Sequence, residues 1–292
     1  MLIKPQLLIT GGSGFIGGHL VKHLSSQYTI TTTYWSHSFQ DPAAQWIKID
    51  LSRRSEVVTL FETLNPAWVI HTAALATVAR GEKDPQPMSQ INIEGAGNIA
   101  KCCTQRATPL LHFSTDMVFD GKEGNYSETD PPFPITHYGR TKLEAEKIVK
   151  HYSDNFIILR IALCLGSPIW GGSSFSQWVL ENMRKNQPVH LYVDQFRTPL
   201  HIINLCQVVE ELLTIPFRGI LHLAGTEKAN RVQIGQAVAQ QYHFSEKLIH
   251  PVTITDSLSP YPLQKDLSLN VSKAKNLLKT SLWNFSTLAK NL

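Results

Sequence analysis

The sequence has few cysteines, no long apolar run and no block of charge of one sign. Its 292 residues include only four cysteines, and their spacing suits neither a metal site nor a disulfide framework. We therefore expect buried free thiols in a reducing compartment, and the lack of a signal-peptide pattern leads us to expect a cytoplasmic protein. No stretch approaches the ~20 consecutive apolar residues of a membrane span. The 12 histidines include no H-E-x-x-H motif and no paired spacing, so no metal is predicted.

Charge and composition exclude further classes of protein. The net charge of +4 is small and spread along the chain, so we expect neither a nucleic-acid nor a membrane partner. Hydrophobic residues make up 42% of the chain and charged residues 17%, which favours a folded protein over a disordered one. The length is close to the size at which one hydrophobic core stops growing, so we expect one large domain with an appended lobe.

Short apolar runs alternate with helical patterns through the first two-thirds of the chain. The runs lie at 7–10, 29–34, 46–49, 68–71, 110–114, 156–161 and 220–223, and the helical patterns lie at 15–25, 55–64, 89–105 and 140–152. Such alternation predicts an α/β protein with a Rossmann-type doubly wound parallel sheet.

The alternation breaks near Gly166, where turn signals begin. Residues 1–165, together with a returning segment at 200–225, are predicted to form the dinucleotide-binding domain. Residues 166–199 and 232–292 are predicted to form a smaller C-terminal α/β lobe for the substrate, with helical patterns at 175–185 and 272–278.

A glycine-rich loop joins the first apolar run to the first helical pattern. It reads Gly11-Gly12-Ser13-Gly14-Phe15-Ile16-Gly17. Glycines at these positions allow a tight turn, close approach of backbone N–H groups to a pyrophosphate and close helix packing, and the helix N-terminus favours negative charge. The context of strand, loop and helix therefore predicts a dinucleotide site. The predicted cofactor residues are Gly11, Ser13, Gly14, Phe15, Ile16, Gly17, Ser36, His37, Asp50, Leu51, Ala73, Ala74, Tyr138 and Lys142.

The second strand lacks the acidic residue that would hold the adenosine ribose of NAD. Without a carboxylate there is no repulsion of a 2′-phosphate, so NADP is favoured over NAD, although only Ser36 and His37 are placed to bond that phosphate. Asp50 follows the third strand and either meets the adenine edge or caps the next helix.

A block from 114 to 142 holds the residues needed for proton transfer to a carbonyl oxygen. Thr115 ends the fifth apolar run, and Tyr138 and Lys142 share a helix face because they are four residues apart. A free tyrosine has a pKa of about 10, and we expect the neighbouring ammonium to lower that pKa. Thr115, Tyr138 and Lys142 are the predicted catalytic residues.

The motifs together resemble those of the extended short-chain dehydrogenases/reductases, and within them the dTDP-4-dehydrorhamnose reductase group. The matching segments are the glycine loop, 114–121, 138–146, 159–160, 194–199 and 221–225. The resemblance implies reduction of a nucleotide-activated 4-keto-6-deoxysugar by NAD(P)H, with Tyr138 as the proton donor. It also implies a homodimer and a supporting role for Asn92, whose alternative is that of a buried, hydrogen-bonded residue in a helix kink. The implied substrate contacts are Thr115, Met117, Val118 and Arg197, although Arg197 either binds a phosphate of the nucleotide sugar or forms a structural ion pair.

Two alternatives remain open at this stage. The same fold and catalytic residues serve nucleotide-sugar epimerases and dehydratases, which retain their cofactor. The chain is also similar to the regulatory β subunit of methionine adenosyltransferase, which binds NADP without catalysis. The Trp and Tyr that the reductases carry after the sixth strand are absent from 161–166. Trp170 is either their substitute or a residue that packs the smaller lobe.

Overall fold

A computed structural model of the protein describes residues 4–37, 39, 41–257 and 259–292. The strands are β1 (Gln6–Thr10), β2 (Thr29–Tyr34), β3 (Gln45–Lys48), β4 (Trp68–His71), β5 (Leu110–Thr115), β6 (Phe156–Ile161), β7 (Cys164–Leu165), β8 (Val189–Tyr192), β9 (Phe196–Arg197), β10 (Leu200–His201), β11 (Gly219–Leu223), β12 (Ala229–Asn230) and β13 (Ile249–Val252). The helices are α1 (Phe15–Leu24), α2 (Arg54–Thr63), α3 (Val78–Lys83), α4 (Pro85–Ser89), α5 (Ala96–Gln105), α6 (His137–Tyr152), α7 (Phe175–Arg184), α8 (Ile202–Leu212), α9 (Arg231–Gln241), α10 (Ser272–Leu277) and α11 (Phe285–Ala289).

In the described part of the chain, seven strands form one sheet in the order β11-β6-β5-β4-β1-β2-β3. All neighbouring pairs are parallel. This order, in which the chain reverses its direction of travel between β1 and β4, is that of a doubly wound dinucleotide-binding sheet. The predicted Rossmann-type fold is therefore confirmed. Ligands bind such sheets at the carboxyl ends of the strands beside the reversal.

The sheet is covered on both faces, as the continuous apolar runs require. Leu7 and Ile9 of β1 belong to one hydrophobic cluster, and Leu8 between them belongs to another; all three are fully buried. The first cluster includes residues of α1 and α8, and the second includes residues of α2 and α5. Alternate side chains of one strand thus serve two cores, which fixes the register of the sheet.

Two predicted helices have different boundaries in the structure. The pattern at 89–105 predicts one helix, but a π-helical turn at Gln90–Gly95 separates α4 from α5. Helix α6 begins three residues before the predicted 140, because the Thr136 side chain accepts a hydrogen bond from the Gly139 N–H and caps the helix. Tyr138 therefore lies in the first turn of α6.

A smaller hydrophobic cluster joins α7, β8, α9 and β13, which lie in the segments predicted for the substrate lobe. The end of the chain, from residue 267, does not pack in this cluster alone. Leu267, Leu269 and Ala274 pack in the first cluster under the main sheet, and α10 contacts β11. Apolar residues of the tail therefore return to the large core.

The cysteines are free; Cys102, Cys103 and Cys206 are buried as predicted, whereas Cys164 is only half-buried. Across the described ranges, no helix is both long enough and apolar enough to cross a bilayer.

Candidate active site

The glycine loop follows β1 and leads into α1, which has Gly14 as its N-cap. Gly11 has a φ of +76°, and a Cβ there would lie 2.7 Å from Cα of Ala73. A Cβ on Gly17 would lie 2.2 Å from the Gly11 carbonyl oxygen. The loop thus depends on missing side chains, and together with the N-terminus of α1 it forms a cradle that fits a pyrophosphate.

Two cavities meet at this loop and contain most of the predicted site residues. The larger, of about 440 Å³, extends from the loop to α6, and the smaller, of about 190 Å³, extends to the ends of β2 and β3. The predicted cofactor residues in the larger are Gly11, Gly14, Phe15, Ile16, Gly17, Ala74, Tyr138 and Lys142. Those in the smaller are Gly11, Ser13, Gly14, Asp50, Leu51, Ala73 and Ala74.

Ser36 and His37 lie outside both cavity linings. They lie on the exposed turn after β2 and hydrogen-bond to each other over 2.9 Å. Asp50 lines the smaller cavity, and its carboxylate accepts hydrogen bonds from the backbone and the hydroxyl of Ser52. Arg53, not Asp50, is the N-cap residue of α2.

Thr115, Tyr138 and Lys142 line the larger cavity together. Thr115 ends β5, where its hydroxyl accepts from the Met117 N–H over 3.2 Å and donates to Asp116 over 3.1 Å. Strand β5 therefore brings Thr115, and helix α6 brings Tyr138 and Lys142, to the lining of the same cavity.

The electrostatics of Tyr138 differ from the prediction. Burial raises the pKa of Tyr138 to about 12, with a further rise from Asp116 and a smaller opposing effect of the Thr115 hydroxyl. The expected lowering of this pKa by Lys142 is wrong for this structure. The loss of solvation outweighs any attraction to the ammonium, and the Lys142 Nζ contacts His112 instead.

The sequence analysis found only one member, Arg197, of a buried cluster of charged side chains that lines the same cavity. The Asp116 carboxylate lies 3.2 Å from Nε of the predicted Arg197. Arg231 donates from Nε to Gln195 over 2.8 Å and lies over the Phe175 ring. Its Nη1 is buried without a hydrogen-bond partner among the described residues. Asp116 adjoins Thr115 in sequence and could have been found from that; Arg231, at the start of α9, carries no local signal.

Asn92 lies in the π-helical turn and joins two parts of the site. Its side chain donates to the Leu75 carbonyl and the Thr141 hydroxyl, both over 3.0 Å, and accepts from the Leu75 N–H over 2.8 Å. The loop after β4 is thereby tied to α6 between Tyr138 and Lys142. Asn92 is thus buried and hydrogen-bonded in a helix irregularity.

The positions of Val118 and Trp170 do not suit the roles predicted for them. Val118 is fully buried in the first hydrophobic cluster, so its side chain does not line the cavity as a substrate contact would. Trp170 donates from Nε1 to the Gly12 carbonyl over 3.0 Å and stacks on Phe39. It packs on the glycine loop, neither at the substrate end nor inside the smaller lobe. Met117 and Arg197 do line the cavity.

The sheet order, the glycine loop between β1 and α1, and the tyrosine and lysine on α6 define an extended short-chain dehydrogenase/reductase. Residues 5–291 match the profile of the RmlD substrate binding domain family, and the chain belongs to this family.

Known proteins align with nearly the whole length of the chain. It is 30% identical to the probable low-salt glycan biosynthesis reductase Agl14 of Haloferax volcanii, over 94% of this chain and 92% of that protein. It is 26% identical to methionine adenosyltransferase 2 subunit beta of Mus musculus, over 96% and 88%. The crystal structure of dTDP-4-dehydrorhamnose reductase from Bacillus anthracis, in complex with NADP, superposes with a TM-score of 0.88 at 21% identity, over 99% of this chain and 98% of that one.

Proposed function

We propose that the protein is an NADPH-dependent reductase of a nucleotide-activated 4-keto-6-deoxysugar. The observation that carries the proposal is the meeting of the glycine loop with Thr115, Tyr138 and Lys142 in one cavity. The names of the reductases that share the fold and the family support it. The glycine cradle accommodates a dinucleotide only because its glycines carry no Cβ. When bound, NADPH supplies the hydride.

The residues of the chain then have separate tasks. Tyr138 donates a proton to the keto oxygen, and its pKa of about 12 keeps the phenol protonated at neutral pH. Thr115 orients the keto oxygen with its hydroxyl. Lys142 binds the nicotinamide ribose and places a positive charge near the oxygen as negative charge develops.

NADP is proposed over NAD because the described end of β2, at Tyr34, carries no carboxylate to oppose a 2′-phosphate. Ser36 and His37 are exposed beside this end, and we propose that they bond the phosphate in place of their bond to each other.

The activity is testable by following NADPH consumption with a panel of dTDP- and UDP-4-keto-6-deoxysugars. With at least one sugar of the panel, we expect NADPH to be oxidised at the same rate as a 6-deoxysugar product is formed. Cofactor binding without turnover of any sugar would contradict the proposal. It would favour the regulatory alternative, which the likeness to methionine adenosyltransferase 2 subunit beta supports, and capture of a catalytic partner subunit would then test that alternative.

Arg197 and Arg231 are proposed to hold the diphosphate of the nucleotide sugar. Both line the cavity, and together they carry one positive charge more than Asp116 neutralises. Burial, and next the nearby Arg197, lower the pKa of Arg231 to about 9, so it is still charged at neutral pH. Guanidinium groups bind phosphate oxygens in pairs of hydrogen bonds.

Replacing Arg231 with Gln is expected to raise KM for the nucleotide sugar by about 10- to 100-fold, because a hydrogen bond to a charged group is lost. The Kd for NADPH stays unchanged, since Arg231, the first residue of α9, is not among the residues proposed to hold the cofactor. Steady-state kinetics measure the KM for the nucleotide sugar, and a fluorescence titration measures the Kd for NADPH. Arg184→Gln, an exposed arginine of the same lobe, is the control and keeps both values; an equal rise in the NADPH Kd of Arg231→Gln would refute the assignment.

A further inference from the structure

A buried histidine contacts the Lys142 ammonium. The Nζ atom lies 3.3 Å from Nε2 of His112, which lies on β5 three residues before Thr115. Lys142 is 3% exposed and His112 is fully buried. Within the described ranges no carboxylate lies within ion-pair distance of Lys142, because Glu146 is engaged by Arg160 and Ser114. His112 is therefore the side chain that fixes the ammonium when no ligand is present.

The contact determines the tautomer of His112. An ammonium has three donors and no acceptor, so Nε2 of the imidazole must accept and the ring proton must lie on Nδ1. Burial, Lys142 and His71 hold the pKa of His112 well below its usual value, so the ring is neutral. Its Nδ1 has no partner among the described residues. The ring stacks on His71 with centroids 5.2 Å apart, which leaves Nε2 directed at the lysine.

We propose that His112 is a positioning residue for Lys142: it accepts one of the three ammonium N–H groups at the base of the cavity and leaves two for the ribose hydroxyls of the cofactor. This inference rests on the ribose-binding task given to Lys142 in the proposed function. His112 touches neither substrate nor cofactor and acts only through the lysine.

The proposal has a consequence for pH. Burial lowers the pKa of Lys142 to about 8, and Glu146 opposes this. A hydrogen bond to a neutral acceptor favours the charged lysine. Loss of the acceptor therefore lowers the pKa further, and the ammonium is lost at a lower pH. The titratable or charged groups that face this region are His71 on β4, His112 on β5, Asp116 after β5, Arg160 on β6, and Tyr138 and Glu146 on α6 itself.

The test is the pH dependence of NADPH affinity, which needs no sugar. We expect the Kd of the wild type to rise as the pH passes through about 8, where Lys142 loses its proton. In His112→Leu, of similar volume but without an acceptor, the midpoint falls by about one pH unit, a tenfold loss of proton affinity. In His112→Gln, whose Oε1 lies near the place of Nε2, the midpoint returns towards that of the wild type.

His222→Leu is the matched control. His222 is another fully buried strand histidine, on β11; its Nδ1 bonds the Tyr126 carbonyl and its Nε2 lies 3.5 Å from Nη1 of Arg160 rather than beside Lys142. We expect it to lose stability without a change in midpoint. If His112→Leu shows the wild-type midpoint, or if His222→Leu shifts it equally, the proposal is overturned.

Two further results keep the proposal testable. If His112→Leu does not fold, ¹⁵N chemical shifts of the wild-type imidazoles decide: a proton on Nε2 of His112 overturns the proposal, and a proton on Nδ1 supports it. A wild type that binds NADPH but reduces no keto sugar contradicts the proposed function alone, whereas an unmoved midpoint contradicts only the role of His112. Failure of the wild type to bind NADPH contradicts both.

Discussion

Tyr138→Phe is expected to reduce turnover of the keto sugar by about 10²–10⁴-fold, the usual contribution of a positioned proton donor. The phenol is the protonated group at the cavity wall, since its pKa is raised to about 12. Phenylalanine keeps the half-buried ring and removes only the donor. The affinity for NADPH is therefore expected to stay unchanged. Stopped assays of NADPH consumption and fluorescence titration measure these quantities.

Tyr152→Phe provides the control for this result, because Tyr152 is the last residue of the same helix and lies outside both cavity linings. Its turnover should equal that of the wild type. Wild-type turnover in Tyr138→Phe would show that the proton comes from elsewhere, and the proposed mechanism would then fail.

Arg160→Met is expected to lower the free energy of unfolding by about 3–5 kcal/mol, the usual cost of leaving a buried charge unpaired. Arg160 donates from Nε and Nη2 to the two carboxylate oxygens of Glu146, over 2.9 and 2.7 Å. The arginine and glutamate side chains are 3% and 0% exposed. Methionine fills the space, but of the donors in the described residues the Glu146 carboxylate keeps only the Ser114 hydroxyl. Urea denaturation followed by circular dichroism measures the loss.

The same helix supplies an exposed pair for comparison. Lys147 lies 3.2 Å from Glu144, and these side chains are 60% and 47% exposed. Lys147→Gln should change the stability by less than about 0.5 kcal/mol, because water screens exposed pairs. Equal losses in both variants would show that burial does not determine the value of the Arg160 pair.

The sequence predicts most of what depends on local spacing. The glycine loop predicts a strand before it and a helix after it. The four-residue interval between Tyr138 and Lys142 places both side chains on one face of a helix. The sheet follows from the alternation of apolar runs with helical patterns. Each of these features is set within about 30 residues, the size of one strand–helix–strand unit.

The features that sequence analysis missed depend on distant contacts or on burial. Arg231 reaches the cavity from α9, more than a hundred residues beyond Asp116, so no local pattern marks it. The direction of the Tyr138 pKa shift was predicted wrongly because spacing shows the neighbouring lysine but not the loss of solvent. Val118 shares a motif with Thr115, yet its side chain points into the core.

The π-helical turn at Gln90–Gly95 marks a place where the length of the chain can change. A π turn holds one residue more than an α turn, so deleting one residue there would restore regular helix and leave α4 and α5 in phase. Ile99 and Cys103 would stay buried. The loss would fall on Asn92, which the turn presents to Leu75 and Thr141. An alignment gap at this turn therefore indicates a relative that anchors α6 differently.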